Sequence, residues 1–265
     1  MKKILFALLA AVLLLSVSIS GCSDNETGNF TDEMKIPHAA DLSPEDGADS
    51  IERDGDHPNS PYFKHPDFYN MTDTDTLTIL SKFKTQQQTS EWSCGVTVAV
   101  MVLDWYNSLG DHNELTLSEF RKPSEYSARL PGGSAPSATS LRQMIDMFEA
   151  AGEFDIFSTF DCIDDAEDVF TLNFIQETLK EGHPVIIGWN DWGGHWQAII
   201  GYDTMGTEEE GDDVIIVADP YDSTDHNQDG YVIYGAERIL YNFTFYNFFP
   251  EEELNDTVFM VVKPK

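Results

Sequence analysis

Residues 85–109, TQQQTSEWSCGVTVAVMVLDWYNSL, decide how this chain folds. An apolar run opens at Cys94-Gly95 and continues to about Leu109, where Gly110 and Asp111 read as its end. The run is apolar almost all round, the pattern of a central buried helix rather than a surface one. A cysteine at the N-terminus of such a helix feels the positive end of the helix dipole, which favours thiolate over thiol. Gln88 lies one short loop upstream, where its amide can donate a hydrogen bond to an oxyanion forming at an attacked carbonyl. Gln86 and Gln87 carry the same amide and stay open as alternatives.

Outward from that helix the chain keeps regular patterns from residue 77 to 265, enough for one well-cored domain. Leu77–Phe83 alternates as a strand, and Leu115–Arg121 reads as a short helix. After Pro131-Gly132-Gly133-Ser134, Thr139–Ala151 has helical periodicity and is stopped by Gly152. Leu172–Glu181 is a second amphipathic helix, ended by Gly182. Pro184–Gly188, Trp196–Tyr202, Val214–Ala218, Tyr231–Tyr234 and Val258–Val262 read as strands. Helices come first and strands later, so the fold class is α+β rather than alternating βαβ.

Two of these strands complete the cysteine. Gly193-Gly194-His195-Trp196 puts a histidine at the start of one, and Val214–Ala218 runs into Asp219-Pro220-Tyr221. If the two strands pair, His195 and Asp219 meet at one end of a hairpin. Asp219 then fixes the tautomer and orientation of His195, whose other nitrogen serves Cys94 as general base and acid. Each residue has a plainer reading: a buried thiol, a structural histidine, an aspartate starting a turn. The order Gln, Cys, His, Asp outweighs them.

The segments QQQTSEWSCG, GGHWQAIIGYD and VIIVADPYD resemble papain-like cysteine peptidases, most of all the bacteriocin-leader-processing, double-glycine type. That resemblance implies a papain-like fold, with a central helix carrying the nucleophile packed on an antiparallel sheet. It implies a Cys94–His195–Asp219 triad with Gln88 in the oxyanion hole, a peptide or protein substrate and no required cofactor. Two features depart from the pattern. The acidic insertion Thr207–Asp213 lengthens the gap between His195 and Asp219. The chain also lacks a transporter or ATP-binding segment, so the double-glycine leader is not the expected substrate.

The N-terminus reads as a lipoprotein signal over residues 1–21: Lys2 and Lys3, an apolar core from Ile4 to Val17, then Ile19-Ser20-Gly21-Cys22. The expected mature chain begins at a lipidated Cys22, anchored to the membrane outside the cytoplasm. Residues 22–76 are acidic and poor in large apolar residues, which predicts a largely disordered stalk. The aromatic segment Tyr62–Met71 is the part expected to dock as an arm. Without the two signal lysines, 13 basic residues face 47 acidic ones. Such a surface repels nucleic acid, so no nucleic-acid partner is expected. It suits cation binding, cationic substrates or plain solubility.

A Cys94–Cys162 disulfide is not expected, because Cys162 sits in an acidic stretch with no catalytic context. Asp225, Asn227, Asp229 and Tyr231 match the first positions of a calcium loop, but the twelfth position is Ala236. A solvated turn is the favoured reading there, with a weak structural calcium site as the alternative. For the whole chain, a membrane-tethered cysteine hydrolase leads. An acyltransferase on the same fold and a non-enzymatic, calcium-dependent surface module are the alternatives.

Overall fold

The structure is a computed structural model that describes residues 33–37, 42, 47–48, 66–121, 139–191, 194–223, 227–242 and 257–265. Its strands are β1 (Leu77–Ile79), β2 (Phe154–Ser158), β3 (Val185–Trp189), β4 (His195–Asp203), β5 (Val214–Ala218), β6 (Tyr231–Gly235) and β7 (Val258–Pro264). The helices are α1 (Cys94–Trp105), α2 (Glu114–Ser118), α3 (Leu141–Ala151), α4 (Ala166–Val169), α5 (Leu172–Lys180) and α6 (Ala236–Tyr241). All strand pairs within the sheet are antiparallel, in the order β2-β7-β3-β4-β5-β6. β1 pairs with the far end of β4 through Leu77↔Asp203 to Ile79↔Gly201. The arrangement is the expected α+β one.

The sheet centre is apolar on both faces, as its sequence requires. β3 is buried at every position and β4 at every position except its last. Helix α1 lies against β4, α3 beside it reaches β2 and β7, and α5 packs on β1, β3 and β4. From Cys94 to Leu103 every residue of α1 is buried, consistent with a helix that has no polar face.

Element ends depart from the sequence reading for local reasons. Helix α1 stops at Trp105 rather than near Leu109, because Asn107 takes φ +53°, a left-handed conformation that asparagine tolerates. β1 ends at Ile79 and the chain turns at Lys82, φ +68°. Helix α3 starts at Leu141 because Ser140 and Gln143 form a reciprocal capping box. Strand β2 and helices α4 and α6 were not expected. In β2 only Phe154 and Ser158 are buried, so its alternation carries little apolar signal.

Part of the chain before Leu77 touches the domain. Residues 33–37, within the stretch expected to be a disordered stalk, pack on the domain: Met34 and Ile36 join the core, and Lys35 bridges Thr85 in parallel. The Ile36 N–H donates to Thr85 O at 2.8 Å and the Thr85 N–H to Met34 O at 3.1 Å. Main-chain pairing plus two well-placed side chains thus order a segment whose composition is otherwise unfavourable. In the aromatic arm, Phe68 and Tyr69 are buried, with Phe68 against Tyr231 and Lys82 over the Tyr69 ring. Residues 1–32, Cys22 among them, lie outside the described residues. Among the described residues no helix is long and apolar enough to cross a membrane.

Candidate functional site

Cys94 is the first residue of α1, so its main-chain N–H belongs to the group of helix N-terminal donors that have no partner inside the helix. The turn before it is held by its own hydroxyls. Ser93 Oγ donates to Ser90 O, and Thr97 Oγ1 to Ser93 O. Gly95 is needed behind the thiol: a Cβ there would sit 2.8 Å from Thr139 Cβ.

The β3–β4 hairpin delivers the histidine. Trp189 pairs with His195 across it, and Gly194, at φ +129°, supplies a turn conformation that a side chain would strain. Ala198 pairs with Ala218, so Asp219 leaves β5 beside the start of β4. His195 Nε2 and Asp219 Oδ1 are 2.6 Å apart, with both residues almost fully buried. That bond leaves Nδ1 as the imidazole nitrogen available to Cys94. Burial would lower the His195 pKa. The Asp219 charge and hydrogen bond, then the bond and charge of Cys94, outweigh it and raise the value to about 10. The acidic insertion does not separate the pair; it bulges away at the far end of the β4–β5 hairpin.

Residues 80–237, more than half of the chain, match the Peptidase_C39 like family. The chain belongs to that family. It is therefore a cysteine-type peptidase, and the helix-plus-antiparallel-sheet architecture is its papain-like fold. A solved structure, a double glycine motif protease from an AMS/PCAT transporter in complex with the leader peptide, is similar at 15% identity with a TM-score of 0.38. That alignment covers 69% of this chain and 91% of the protease. Among curated proteins none matches.

In this member of the Peptidase_C39-like family, Gln88 is placed in an unexpected way. Its main-chain N–H donates to Pro220 O at 2.8 Å, tying the loop before the cysteine to the turn after Asp219. Its side-chain Nε2 donates to Ser90 O at 2.8 Å and Glu91 O at 3.1 Å, so both amide hydrogens close their own loop. Gln86 Nε2 instead reaches Glu114 Oε2 at 3.3 Å, while the buried amide of Gln87 has no hydrogen-bond partner among the described residues. Glu114 holds the loop from beneath, accepting the Thr89 N–H on both carboxyl oxygens. Burial raises its pKa against the opposing hydrogen bonds of Ser93, Thr89 and Thr97.

The residue that sequence reasoning missed is Gln197. It is fully buried, and its Nε2 donates to Asp219 Oδ2 at 2.7 Å while its Oε1 accepts the Trp189 indole N–H at 2.7 Å. Tyr234 OH lies 3.3 Å from the same Nε2 and donates onward to Asp191 Oδ2 at 3.0 Å. Both Asp219 oxygens are thereby engaged, one by His195 and the other by Gln197. The signal was present: residues i and i+2 of a strand share a face, so Gln197 lies on the face of His195 in an otherwise apolar run.

The remaining candidates sit apart from this cluster. Cys94 and Cys162 are both free thiols, and Cys162 is half-buried with its pKa raised by burial, Asp161 and Asp165. Asp225 falls outside the described residues. Asp229 Oδ1 accepts the Tyr231 N–H, the Asp229 carbonyl accepts Thr85 Oγ1, and the Tyr231 hydroxyl donates to Phe83 O. Among the described residues no group of three or more His, Cys, Asp or Glu is arranged to hold a metal. His183 bonds Tyr106 OH far from the thiol in sequence and role.

Proposed function

We propose that this peptidase is an extracytoplasmic, membrane-tethered enzyme that hydrolyses a peptide or related amide bond through Cys94, His195 and Asp219. The observation that carries the reading is the buried His195–Asp219 bond, which leaves the opposite imidazole nitrogen to Cys94. Cys94 Sγ attacks the carbonyl carbon as a thiolate. The protonated His195 gives its Nδ1 proton to the departing amine as the C–N bond breaks. Water then attacks the thioester, His195 takes a proton from it, and cleavage of the C–S bond releases the acid and restores the thiolate. Asp219 orients the ring throughout.

The oxyanion in this scheme receives the main-chain N–H of Cys94 and one amide hydrogen of Gln88. Gln88 is spent on Ser90 and Glu91 in the resting enzyme, so it exchanges its longer bond, to Glu91, as negative charge develops. Lipidation of Cys22 holds the domain at the membrane surface. The test is hydrolysis of a mixed peptide library read by mass spectrometry. Cys94→Ala abolishes every cleavage while leaving the denaturation midpoint unchanged; cleavage retained in that variant overturns the assignment.

A further inference from the structure

Among the described residues, Arg121 is a cation near the thiol that the reaction scheme leaves unused. The chain has 15 basic residues against 47 acidic ones, so cations in it have abundant potential partners. Yet among the described residues no carboxylate lies within ion-pair distance of Arg121, which is half-buried. Its guanidinium makes two bonds, both neutral: Nη1 to Thr139 Oγ1 at 3.1 Å and Nε to Ser118 O at 3.3 Å. A guanidinium has five N–H donors in a planar fork, so three have no partner among the described residues.

Its position explains what those donors face. Thr139, which anchors Arg121, lies against Gly95 in the first turn of α1. The carbonyl of the same threonine accepts the Trp196 indole N–H at 2.7 Å, and Trp196 follows His195. Through Thr139, Arg121 therefore sits beside the first turn of the helix that Cys94 opens. Burial lowers the Arg121 pKa, and the charge of Cys94 is the influence that opposes it, which puts the guanidinium within electrostatic reach of the sulfur. A half-desolvated cation without a counter-charge is unfavourable unless something else supplies the anion.

From this geometry we infer that Arg121 is a specificity-determining residue that binds a substrate carboxylate next to the scissile carbonyl. The substrate class is then a peptide with an acidic side chain, or a free terminal carboxylate, flanking the cleaved bond. The carboxylate would take two parallel N–H bonds from the unused edge of the fork. This runs against the surface charge, which alone favours cationic substrates. The inference rests on Cys94 being the nucleophile.

Two alkylating reagents of nearly equal size test it on the full chain: iodoacetate, which carries a carboxylate, and iodoacetamide, which does not. Rates at Cys94 and Cys162 are read by peptide mass spectrometry and referred to a neutral model thiol. The expected iodoacetate-to-iodoacetamide ratio at Cys94 is about tenfold or more above that of the model thiol, since one close opposite charge is worth that much in a partly buried site. Arg121→Gln brings the ratio down to the model value, and Arg121→Lys, which keeps the charge and guards against a folding artefact, retains most of it. A wild-type ratio equal to that of the model thiol overturns the inference. So does an Arg121→Gln variant that slows both reagents equally, because Arg121 then serves the thiolate alone. If iodoacetamide labels Cys94 no faster than Cys162, the nucleophile assignment itself fails, which is a separate result. Cut sites in the peptide library then divide the sources: Asp or Glu beside internal cuts marks a side-chain carboxylate, and release of C-terminal residues marks the terminal one.

Discussion

Gln197→Leu tests whether the buried amide behind Asp219 holds the catalytic geometry. Gln197 is isosteric with neither partner it joins, and the leucine supplies no polar atom to either. The Trp189 indole N–H, buried from solvent, loses its acceptor at 2.7 Å, a cost of about 1–3 kcal/mol. Asp219 Oδ2 loses a charge-assisted donor at 2.7 Å, worth roughly 1.5–3 kcal/mol. Extra apolar burial by leucine offsets about 1 kcal/mol of this. The net expectation is a loss of about 3 kcal/mol, or about 6–12 °C in Tm for a domain of this size. Urea denaturation followed by tryptophan fluorescence measures it, with iodoacetamide labelling of Cys94 as the functional readout. Gln197→Glu separates positioning from packing. It keeps an acceptor for Trp189 but faces Asp219 with a second carboxyl, so the pair shares a proton and the pH profile of hydrolysis changes while the shape of the core does not. A Gln197→Leu variant within about 0.5 kcal/mol of the parent, the usual range of a neutral surface change, and with unaltered Cys94 labelling would refute the reasoning.

Asp219→Asn removes the charge that lifts His195. Because the folded His195 pKa is raised from 6.5 to about 10, its pairing stabilises the fold fully below 6.5, and that stability is lost as pH rises through about 10. The variant loses this slope in a pH series of denaturation midpoints, and the alkaline limb of hydrolysis, which needs protonated His195, moves to lower pH. Cys22→Ser abolishes acylation and shifts the protein from the detergent to the aqueous phase on Triton X-114 partition; unchanged partition removes the lipid anchor from the proposal.

The fold was legible where one local signal decided it. The all-apolar run at Cys94 can only be a buried helix, and the continuous apolar strands around Val185 and Ala198 can only be central. The histidine and aspartate were legible because each sits at the end of a strand whose hairpin register brings them together. What escaped was set by pairing across distance. Strand β2 exists because β7 lies beside it, through contacts such as Ile156↔Val262, and its own residues barely alternate. Met34 and Ile36 are ordered by the edge of Thr85, which composition cannot reveal. The spacing of Gln88 predicts an amide aimed at the thiol, yet the carbonyls of Ser90 and Glu91 that take that amide belong to loop geometry, which spacing does not reveal. Arg121 offered no pattern at all; only its bond to Thr139, with no carboxylate near it among the described residues, gave it meaning.

The central claim is that His195, held by Asp219, makes Cys94 a nucleophile. Competitive labelling of the native full-length protein with iodoacetamide at pH 7, quantified at Cys94 and Cys162 in the parent and in His195→Asn, measures that directly. The account predicts labelling of Cys94 at least about tenfold faster than Cys162 in the parent, even though Cys94 is the more buried of the two, and loss of that advantage in His195→Asn. Equal rates at the two cysteines, or a Cys94 rate indifferent to His195, would contradict it.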